Sequence, residues 1–300
     1  MNAINALPLL GRLKRKPDSH KGDYGKVLII GGAAGMVGAP LLSGQAALHS
    51  GAGWVVIAFL STNAPAVMQA QPEMMLRHVE TIDFGDINPD VIAIGPGMGT
   101  SEQAKALLAQ VFLMDVPLVI DADALNLLAA DYALIGLLQK RKAPSVLTPH
   151  PGEAGRLLQL SNQAIQADRI ASINALVKMT KAICVLKGSG SLVASPEHAP
   201  EICSAGNPGM ATAGMGDVLT GVIAALIGQG VRNSLNVWDA TRLAVLLHAM
   251  AADSLVNKGI GPIGLTALEV AYEVRQLVNH YAENASSTDT DGLAFLLDSP

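Results

Sequence analysis

The sequence contains little cysteine, few aromatic rings and little charge. Of its 300 residues only two are cysteines, 3% are aromatic and 15% are charged. Two cysteines are too few for a disulfide framework, and the apolar run 182–186 around Cys184 indicates a buried, reduced thiol. We therefore exclude a small disulfide-stapled domain and expect a cytoplasmic protein.

Neither the charge nor the apolar runs point to a nucleic-acid or membrane partner. Twenty lysines and arginines stand against 25 aspartates and glutamates, which gives a formal charge of −5. Nucleic-acid binding requires a basic face and stacking rings, and the chain supplies neither. The most apolar segment, 218–227, is too short to cross a bilayer, and the first residues lack the pattern of a signal peptide. We expect small-molecule partners instead.

Half of the residues are apolar, which is enough to bury a large core. Short apolar runs alternate with longer helical patterns, and the runs are continuously apolar, which is typical of strands covered by helices on both faces. Strands are predicted over 26–30, 54–59, 91–94, 118–120, 145–147 and 183–186, and helices over 101–112, 131–141, 162–180, 215–228, 238–257 and 264–281. This alternation predicts an α/β fold with a mostly parallel sheet, which binds ligands at the carboxyl ends of its strands.

The chain shows no internal linker rich in proline and serine, so we predict one main domain. Its range is 20–283, preceded by an N-terminal arm (1–19) and followed by a C-terminal tail (284–300). The composition of the two end segments predicts that both are loosely held.

Four glycine-rich segments follow predicted strands: 31–39, 95–101, 187–191 and 206–217. Four such turns at one edge of a sheet indicate a surface where backbone closely approaches a large, phosphate-rich ligand. The P-loop pattern GxxxxGK[ST] is absent, and the dinucleotide fingerprint GxGxxG fails in both of the first two segments. We therefore do not expect a P-loop enzyme or a Rossmann dehydrogenase.

The end of the fourth segment carries the sharpest chemical signal. Gly214-Met215-Gly216-Asp217 directly precedes a helical run, and glycines there leave the first helical N–H groups free to bind an anion. Asp217 would lie beside the bound phosphate and could take a proton from an attacking hydroxyl. The alternative is that Asp217 only caps the helix. In either case the helix dipole should lower the pKa of Asp217.

Three motifs together resemble one enzyme family. They are Asp121-Ala122-Asp123-Ala124-Leu125-Asn126, Leu147-Thr148-Pro149-His150-Pro151-Gly152-Glu153, and the segment 207–221 that ends in GMGDVLTG. The GxGD portion resembles ribokinase-like kinases, and the full set resembles the ADP/ATP-dependent NAD(P)H-hydrate dehydratases, over about residues 20–281. The resemblance implies a ribokinase-like three-layer α/β/α sandwich with a mostly parallel central sheet.

The resemblance also implies a reaction. The C6 hydroxyl of (6S)-NAD(P)H hydrate is phosphorylated by ADP, or by ATP, and phosphate is then eliminated to restore NADH or NADPH, while ADP becomes AMP and phosphate. Mg²⁺ is the expected metal cofactor. The implied partners are NADHX or NADPHX as substrate, and a homotetramer of this chain. An NAD(P)HX epimerase is expected on a separate chain, because the region before His20 is too short to contain it.

Site residues follow from the same resemblance. Asp217 is the implied base; hydrated NAD(P)H is expected against Ala39, Gly97, Gly99, His150 and Asp217, and the nucleotide against Lys187, Gly188, Ser189, Gly190, Ser191, Gly214 and Gly216. Glu153 is expected to hold Mg²⁺ through water, with a simple helix-start charge as the alternative.

Several of these residues keep a structural alternative. His150 could be a structural loop histidine. Asp121, Asp123 and Asn126 are expected in the cleft, although Asp123 equally suits a helix cap. The segment 20–25 (HKGDYG) has no role that its chemistry reveals, and His248 is expected to be packed or to face a partner.

Two other functions remain open at this point. A small-molecule kinase, such as a vitamin-precursor kinase of the hydroxyethylthiazole type, would use the same aspartate but leave the phosphate on its product. The presence of His150 where these kinases carry asparagine disfavours it. A nucleotide-binding regulatory module without turnover would have no need for Asp217.

Overall fold

A computed structural model describes residues 1–284 of the chain. Within that range the strands are β1 (Asn2–Ala3), β2 (Lys26–Gly31), β3 (Trp54–Phe59), β4 (Met75–His78), β5 (Val91–Ile94), β6 (Leu118–Ile120), β7 (Ser145–Leu147), β8 (Ile183–Leu186), β9 (Ser191–Ala194) and β10 (Glu201–Cys203). The helices are α1 (Gly38–His49), α2 (Phe84–Ile87), α3 (Glu102–Phe112), α4 (Asp123–Ala130), α5 (Tyr132–Gln139), α6 (Pro151–Leu158), α7 (Asn162–Ala167), α8 (Arg169–Thr180), α9 (Met215–Asn233), α10 (Val237–Asn257) and α11 (Ala267–Asn284).

All these strands form one mixed sheet in the order β1-β10-β9-β8-β7-β6-β5-β2-β3-β4. Every pair from β8 to β4 is parallel, whereas β9 is antiparallel to both of its neighbours. The mostly parallel sheet predicted from the sequence is therefore confirmed. Because β9 reverses direction and β10 reverses it again, β2, β5, β8 and β10 all end at the same edge. The four glycine-rich segments follow these four strands and lie together, as expected.

Two hydrophobic layers cover the sheet. Along β2, Val27 and Ile29 pack into a cluster with α1, α9, α10 and α11, while Leu28 and Ile30 pack into a second cluster with helices α3 to α8. Alternate residues of one strand thus bury opposite faces, which explains why the runs are apolar throughout. The result is the α/β/α sandwich that the resemblance implied.

Helix α9 begins at the fourth glycine-rich segment and continues through the interior of the molecule. It is buried along most of its length from Val218 to Gly230. At Gly221 a Cβ atom would lie 2.1 Å from the backbone oxygen of Ser43, so glycine allows α1 and α9 to pack closely. This packing fixes the first turn of α9 at the carboxyl edge of the sheet.

Residues 1–13 are packed against the body, so the expectation that the whole arm is loosely held is wrong for them, whereas residues 14–18 are exposed. β1 pairs with β10, and Leu10 and Leu13 are buried in the cluster that includes α11. The few leucines of this segment supply the apolar surface that packs, and the composition of the arm as a whole did not indicate it. The division into arm, domain and tail stays a prediction, and residues 285–300 of the predicted tail lie outside the described residues.

The predicted helix 162–180 is in fact two helices. Asp168 ends α7 and accepts a hydrogen bond from the amide of Ala171 at 2.8 Å, which starts α8. Aspartate competes with helix continuation by capping, and here it does so within the predicted run. Within residues 1–284 no helix combines the length and the apolar character needed to cross a bilayer.

Candidate active site

Asp217 lies in the first turn of α9 without capping it. The N-cap position is Gly214, whose left-handed backbone (φ +87°) starts the helix without a side-chain hydrogen bond. Within residues 1–284 the carboxylate of Asp217 has no hydrogen-bond partner, whereas its backbone oxygen accepts from Ser43 Oγ at 2.8 Å. The capping alternative for Asp217 is therefore wrong, and the carboxylate is free to act on a ligand.

The surroundings raise the pKa of Asp217 to about 6. Burial is the main cause, the negative charge of Asp121 adds to it, and Lys187 opposes both. The direction is opposite to the one expected from the helix dipole, because desolvation of the carboxylate outweighs the dipole here. A carboxylate with a pKa near 6 is ionised at neutral pH and is a stronger base than an ordinary aspartate.

A buried network holds a lysine beside this turn. Lys187 Nζ is 2.7 Å from Asp121 Oδ1, and Thr220 Oγ1 donates to Asp121 Oδ2 at 2.8 Å. A Cβ atom on Gly216 would lie 3.3 Å from the lysine Nζ, so the ammonium stands directly over the start of α9. Burial lowers the pKa of Lys187, but the charges of Asp121 and Glu153 outweigh it and raise that pKa overall. The lysine is thus charged where an anion would bind.

His150 and Glu153 form a capping box at the start of α6. The imidazole Nδ1 accepts from the amide of Gly152 at 3.0 Å, and Glu153 Oε2 accepts from the amide of His150 at 2.7 Å. Burial and Lys187 lower the pKa of His150, which keeps the imidazole neutral and able to accept. Burial raises the pKa of Glu153 to about 7, against the opposing charge of Lys187. The structural alternatives for both residues are thus realised, although both remain at the edge of the cleft beside Lys187.

Three of the residues predicted for the substrate, Ala39, Gly97 and Gly99, lie where the second glycine segment meets the start of α1. A Cβ atom on Gly97 would lie 3.3 Å from the Cβ of Ala39, so the second glycine segment touches the start of α1. The amide of Gly99 donates to Asp123 Oδ2 at 2.9 Å, and Asn126 Nδ2 donates to Asp123 Oδ1 at 3.1 Å. Asp123 therefore ties two predicted elements of the cleft together and does not cap α4.

The predicted nucleotide segment is the turn between β8 and β9. Gly188 and Ser189 are exposed, and Ser191 Oγ donates to the backbone oxygen of Gly188 at 3.1 Å. The amide N–H groups of Gly188, Ser189 and Gly190 have no acceptor within residues 1–284. Successive unpaired N–H groups of this kind can bind phosphate oxygens.

Sequence reasoning missed several residues that organise the cleft. Thr220 and Arg169 contact the network and the nucleotide turn, and Asp253 on α10 accepts from the amide of Gly206 at 2.7 Å and from Asn207 Nδ2 at 2.9 Å. Arg169 and Asp253 stand in no motif, and Thr220, although it lies within the motif segment 207–221, carries no local signal for its contact. Their partners lie far away in sequence, so only the packing of the helices reveals them.

Two other sequence candidates lie outside the cleft. The segment 20–25 forms a short turn before β2, where the backbone oxygen of Asp23 accepts from Asn233 near the end of α9, at the opposite edge of the sheet. His248 is buried, with burial lowering its pKa to about 4. This confirms it as a packed residue.

The arrangement defines an α/β protein of the ribokinase-like class, in which the glycine-rich start of a buried helix carries a carboxylate that has no hydrogen-bond partner within residues 1–284. A ribokinase-like superfamily protein of Enterococcus faecalis has a similar structure, with a TM-score of 0.80 and 26% identity over 94% of this chain and 97% of that chain.

A family model described as NAD(P)H-hydrate dehydratase matches residues 27–274, and the chain belongs to that family.

Individual relatives agree with this family. The ADP-dependent (S)-NAD(P)H-hydrate dehydratase of Neisseria meningitidis is 40% identical over 274 residues, which are 90% of each protein. The bifunctional NAD(P)H-hydrate repair enzyme Nnr of Coxiella burnetii is 43% identical over 271 residues, which are 89% of this chain and 53% of that protein. The chain thus spans about half the length of the bifunctional relatives. The ADP/ATP-dependent NAD(P)H-hydrate dehydratase of Bacillus subtilis, co-crystallised with ATP and Mg²⁺, has a TM-score of 0.77 and 26% identity over 94% of this chain and 99% of that chain.

Proposed function

We propose that this protein dehydrates (6S)-NAD(P)H hydrate to NAD(P)H and converts ADP to AMP and phosphate. Family membership supports the reaction class. The observation that carries the proposal is the Asp217 carboxylate: it has no hydrogen-bond partner in the part of the chain that the structure describes, it has a raised pKa, and it lies in the first turn of α9 beside the Lys187 ammonium. A binding module would have no use for a base in that position.

The first step is phosphoryl transfer. The C6 hydroxyl of the hydrate attacks the β-phosphorus of ADP, Asp217 takes the hydroxyl proton, and AMP leaves with the electrons of the broken P–O bond. The ammonium of Lys187 and the free N–H groups at the start of α9 stabilise the negative charge of the moving phosphoryl group. Asp121 holds the lysine in place for this task.

The second step is elimination. Phosphate is a much better leaving group than hydroxide, so the lone pair of the ring nitrogen expels it as the C6–O bond breaks. Loss of a proton from C5 then forms the C5–C6 double bond of NAD(P)H. The balance is hydrate plus ADP giving NAD(P)H, AMP and phosphate, which explains why a kinase-like site can perform a dehydration.

We assign the two ligands to neighbouring parts of the cleft around Asp217. The hydrated ring lies against Ala39, Gly97, Gly99 and His150, where small residues allow close approach and the neutral imidazole can donate a hydrogen bond from Nε2, because Nδ1 already accepts from the amide of Gly152. The nucleotide lies on the turn from Lys187 to Ser191 and reaches Gly214 and Gly216. Support comes from the unpaired N–H groups of that turn and from the lysine at its base.

Mg²⁺ is proposed as the metal cofactor, with Glu153 as its protein contact through water. The part of the chain that the structure describes has no group of three or more acidic, histidine or cysteine side chains suited to a metal. This fits Mg²⁺, which commonly binds through one or two carboxylates together with substrate phosphates and water. When bound, the ion would neutralise phosphate charge, and Glu153 would orient one of its waters.

A homotetramer and a separate NAD(P)H-hydrate epimerase complete the proposal. The bifunctional names of several relatives support a second activity that works with the dehydratase. With mixed hydrate epimers, turnover by this protein should stop when one epimer is consumed and resume when an epimerase is added. Light scattering after size-exclusion chromatography measures the oligomeric state.

The test uses hydrated NADH with Mg²⁺ and either ADP, ATP or no nucleotide. We expect the near-ultraviolet absorbance of the reduced ring to return only with nucleotide, and each molecule restored to yield one AMP and one phosphate when ADP is the donor. Absorbance recovery without nucleotide, or none at all, would contradict the proposal. Phosphate that stays on an organic product would instead support the kinase.

A further inference from the structure

Arg169 clamps the turn between β8 and β9. It is the first residue of α8, and its guanidinium reaches across to that turn. Nη2 donates to the backbone oxygens of Leu186 at 3.0 Å and Gly190 at 3.2 Å, and Nη1 donates to the backbone oxygen of Lys187 at 3.3 Å. A single side chain thus fixes the turn at both ends.

The charge of this arginine is not balanced by the protein. Within residues 1–284 no carboxylate lies within ion-pair distance of its guanidinium, and the further contact of Nη1 is with the neutral amide oxygen of Gln166 at 3.2 Å. The side chain is half-buried, and this burial lowers the pKa of Arg169. A half-buried cation that contacts only neutral acceptors favours an anionic ligand nearby.

The clamp determines where the free N–H groups of the turn point. A trans peptide places its C=O and N–H on opposite sides, so a Lys187 oxygen held by Arg169 turns the Gly188 N–H away from the guanidinium. The Lys187 amide is fixed as well, because it donates to the backbone oxygen of Pro149 at 2.9 Å. The N–H groups of Gly188, Ser189 and Gly190, which have no acceptor among the described residues 1–284, are therefore held on a defined backbone.

Gly188 matches the clamp sterically. Its φ of +137° is a conformation that residues with a Cβ rarely adopt, and a Cβ there would lie 2.9 Å from Arg169 Nη1. Glycine at this position lets the guanidinium lie directly against the backbone of the turn.

We infer that Arg169 is a positioning residue for the nucleotide: it orients the N–H groups of residues 188–190 toward the phosphates of a nucleoside diphosphate. The N–H groups of Nη1 and Nη2 are used on protein oxygens, so the arginine acts through the turn. The inference rests on the proposed function for the location of the nucleotide. It assigns Arg169 to ADP affinity and not to the hydrate or to the chemical step.

The test compares Arg169→Gln with a matched clamp elsewhere. Arg141 also uses one guanidinium to hold several backbone oxygens, those of Val111, Phe112 and Met114, but at the amino end of β6 and so at the opposite edge of the sheet. Arg141→Gln therefore removes a similar set of hydrogen bonds without touching the nucleotide turn. Arg169→Lys keeps the positive charge but removes the two guanidinium nitrogens that donate to the backbone oxygens of the turn.

Titration calorimetry measures ADP binding, turnover gives KM for ADP and for the hydrate, and thermal unfolding reports stability. We expect Arg169→Gln to raise the ADP Kd about tenfold or more, as the loss of hydrogen bonds from a charged donor would, with the hydrate KM nearly unchanged. Arg169→Lys should recover part of the affinity. Arg141→Gln should lower the melting temperature and leave the ADP Kd as in wild type.

Two results would overturn the inference. One is an Arg169→Gln variant that binds ADP as the wild type does; the other is an equal loss of affinity for ADP and hydrate, which a purely structural role would give. Failure of the proposed function is distinguishable, because wild-type protein would then bind ADP without restoring the absorbance of hydrated NADH. The ADP titrations would still test the clamp in that case.

Discussion

Replacing Asp217 with asparagine should make the protein more stable at neutral pH while it abolishes turnover. The pKa of Asp217 is about 6 in the folded protein against an ordinary 3.8, and burial is the main cause. The folded state therefore binds the proton more tightly than the unfolded state does. The contribution of Asp217 to the free energy of unfolding should therefore fall as the pH rises from about 4 to about 6 and then stay level.

The size of the effect follows from the two pKa values. Their difference corresponds to about 3 kcal/mol at about 1.4 kcal/mol per pKa unit. Asparagine removes the charge at nearly the same size, so the free energy of unfolding at pH 7.5 should rise by up to about 3 kcal/mol. At a pH below 4 the aspartate is protonated in both states, and the gain should vanish.

Denaturant unfolding at pH 7.5 and below pH 4 measures the gain in the free energy of unfolding at the first pH and its expected absence at the second. The control is Asp131→Asn: the hydrogen bond from Lys105 lowers the pKa of Asp131, so its charge favours folding and asparagine should give no gain at pH 7.5. An Asp217→Asn variant that is no more stable than wild type at pH 7.5, or that gains equally at both pH values, would refute the assignment of a desolvated, ionised base.

Three further predictions concern the residues around this base. Thr220→Val leaves Asp121 Oδ2 without its donor and should lower the free energy of unfolding by about 1–3 kcal/mol. Denaturant unfolding measures the change, and Thr220→Ser, which keeps the hydroxyl, is the control. Asp253→Ala should speed hydrogen exchange at the Gly206 amide, because that amide donates to the Asp253 carboxylate. An unchanged exchange rate would show that this hydrogen bond does not hold the segment. Burial raises the pKa of Glu153 to about 7, so Glu153 should make the free energy of unfolding of the wild type fall as the pH rises from about 4.5 to 7. Glu153→Gln should reduce this fall, and an unchanged pH dependence would contradict the raised pKa.

The parallel body of the sheet could be predicted from the sequence because its strands are buried on both faces. The run 54–59, for example, coincides with β3. The short strands β4 and β10 carry no such run: β4, at one edge of the sheet, buries only Leu76, and β10 has three residues, of which only Cys203 is buried. Their pairing depends on neighbouring strands and not on their own apolar pattern.

The site was predictable where chemistry is local and not where it depends on strand order. The segment from Gly214 to Asp217 contains both the helix start that we propose as the anion site and the carboxylate that we propose as the base, so the sequence alone indicated them. Lys187 and Asp121 are 66 positions apart, and Thr220 and Asp121 are 99 apart. These contacts arise because β6 and β8 flank β7 and α9 packs across them, which no local pattern records.

The pKa of Asp217 was predicted in the wrong direction for a related reason. A helix start lowers the pKa of a nearby carboxyl, and that effect is visible in the sequence as glycines before a helical run. Burial and the charge of Asp121 act in the other direction, and both depend on how the strands assemble. The strength of the base is therefore a property of the fold.

The most direct test of the central claim is the rate at which Asp217→Asn restores the absorbance of hydrated NADH with ADP and Mg²⁺. If Asp217 is the base of phosphoryl transfer, the variant should lose about 100-fold or more of the wild-type rate while it still binds ADP. The expected gain in stability at pH 7.5 would show that the variant is folded. A folded variant that turns over within a few-fold of wild type would contradict the account.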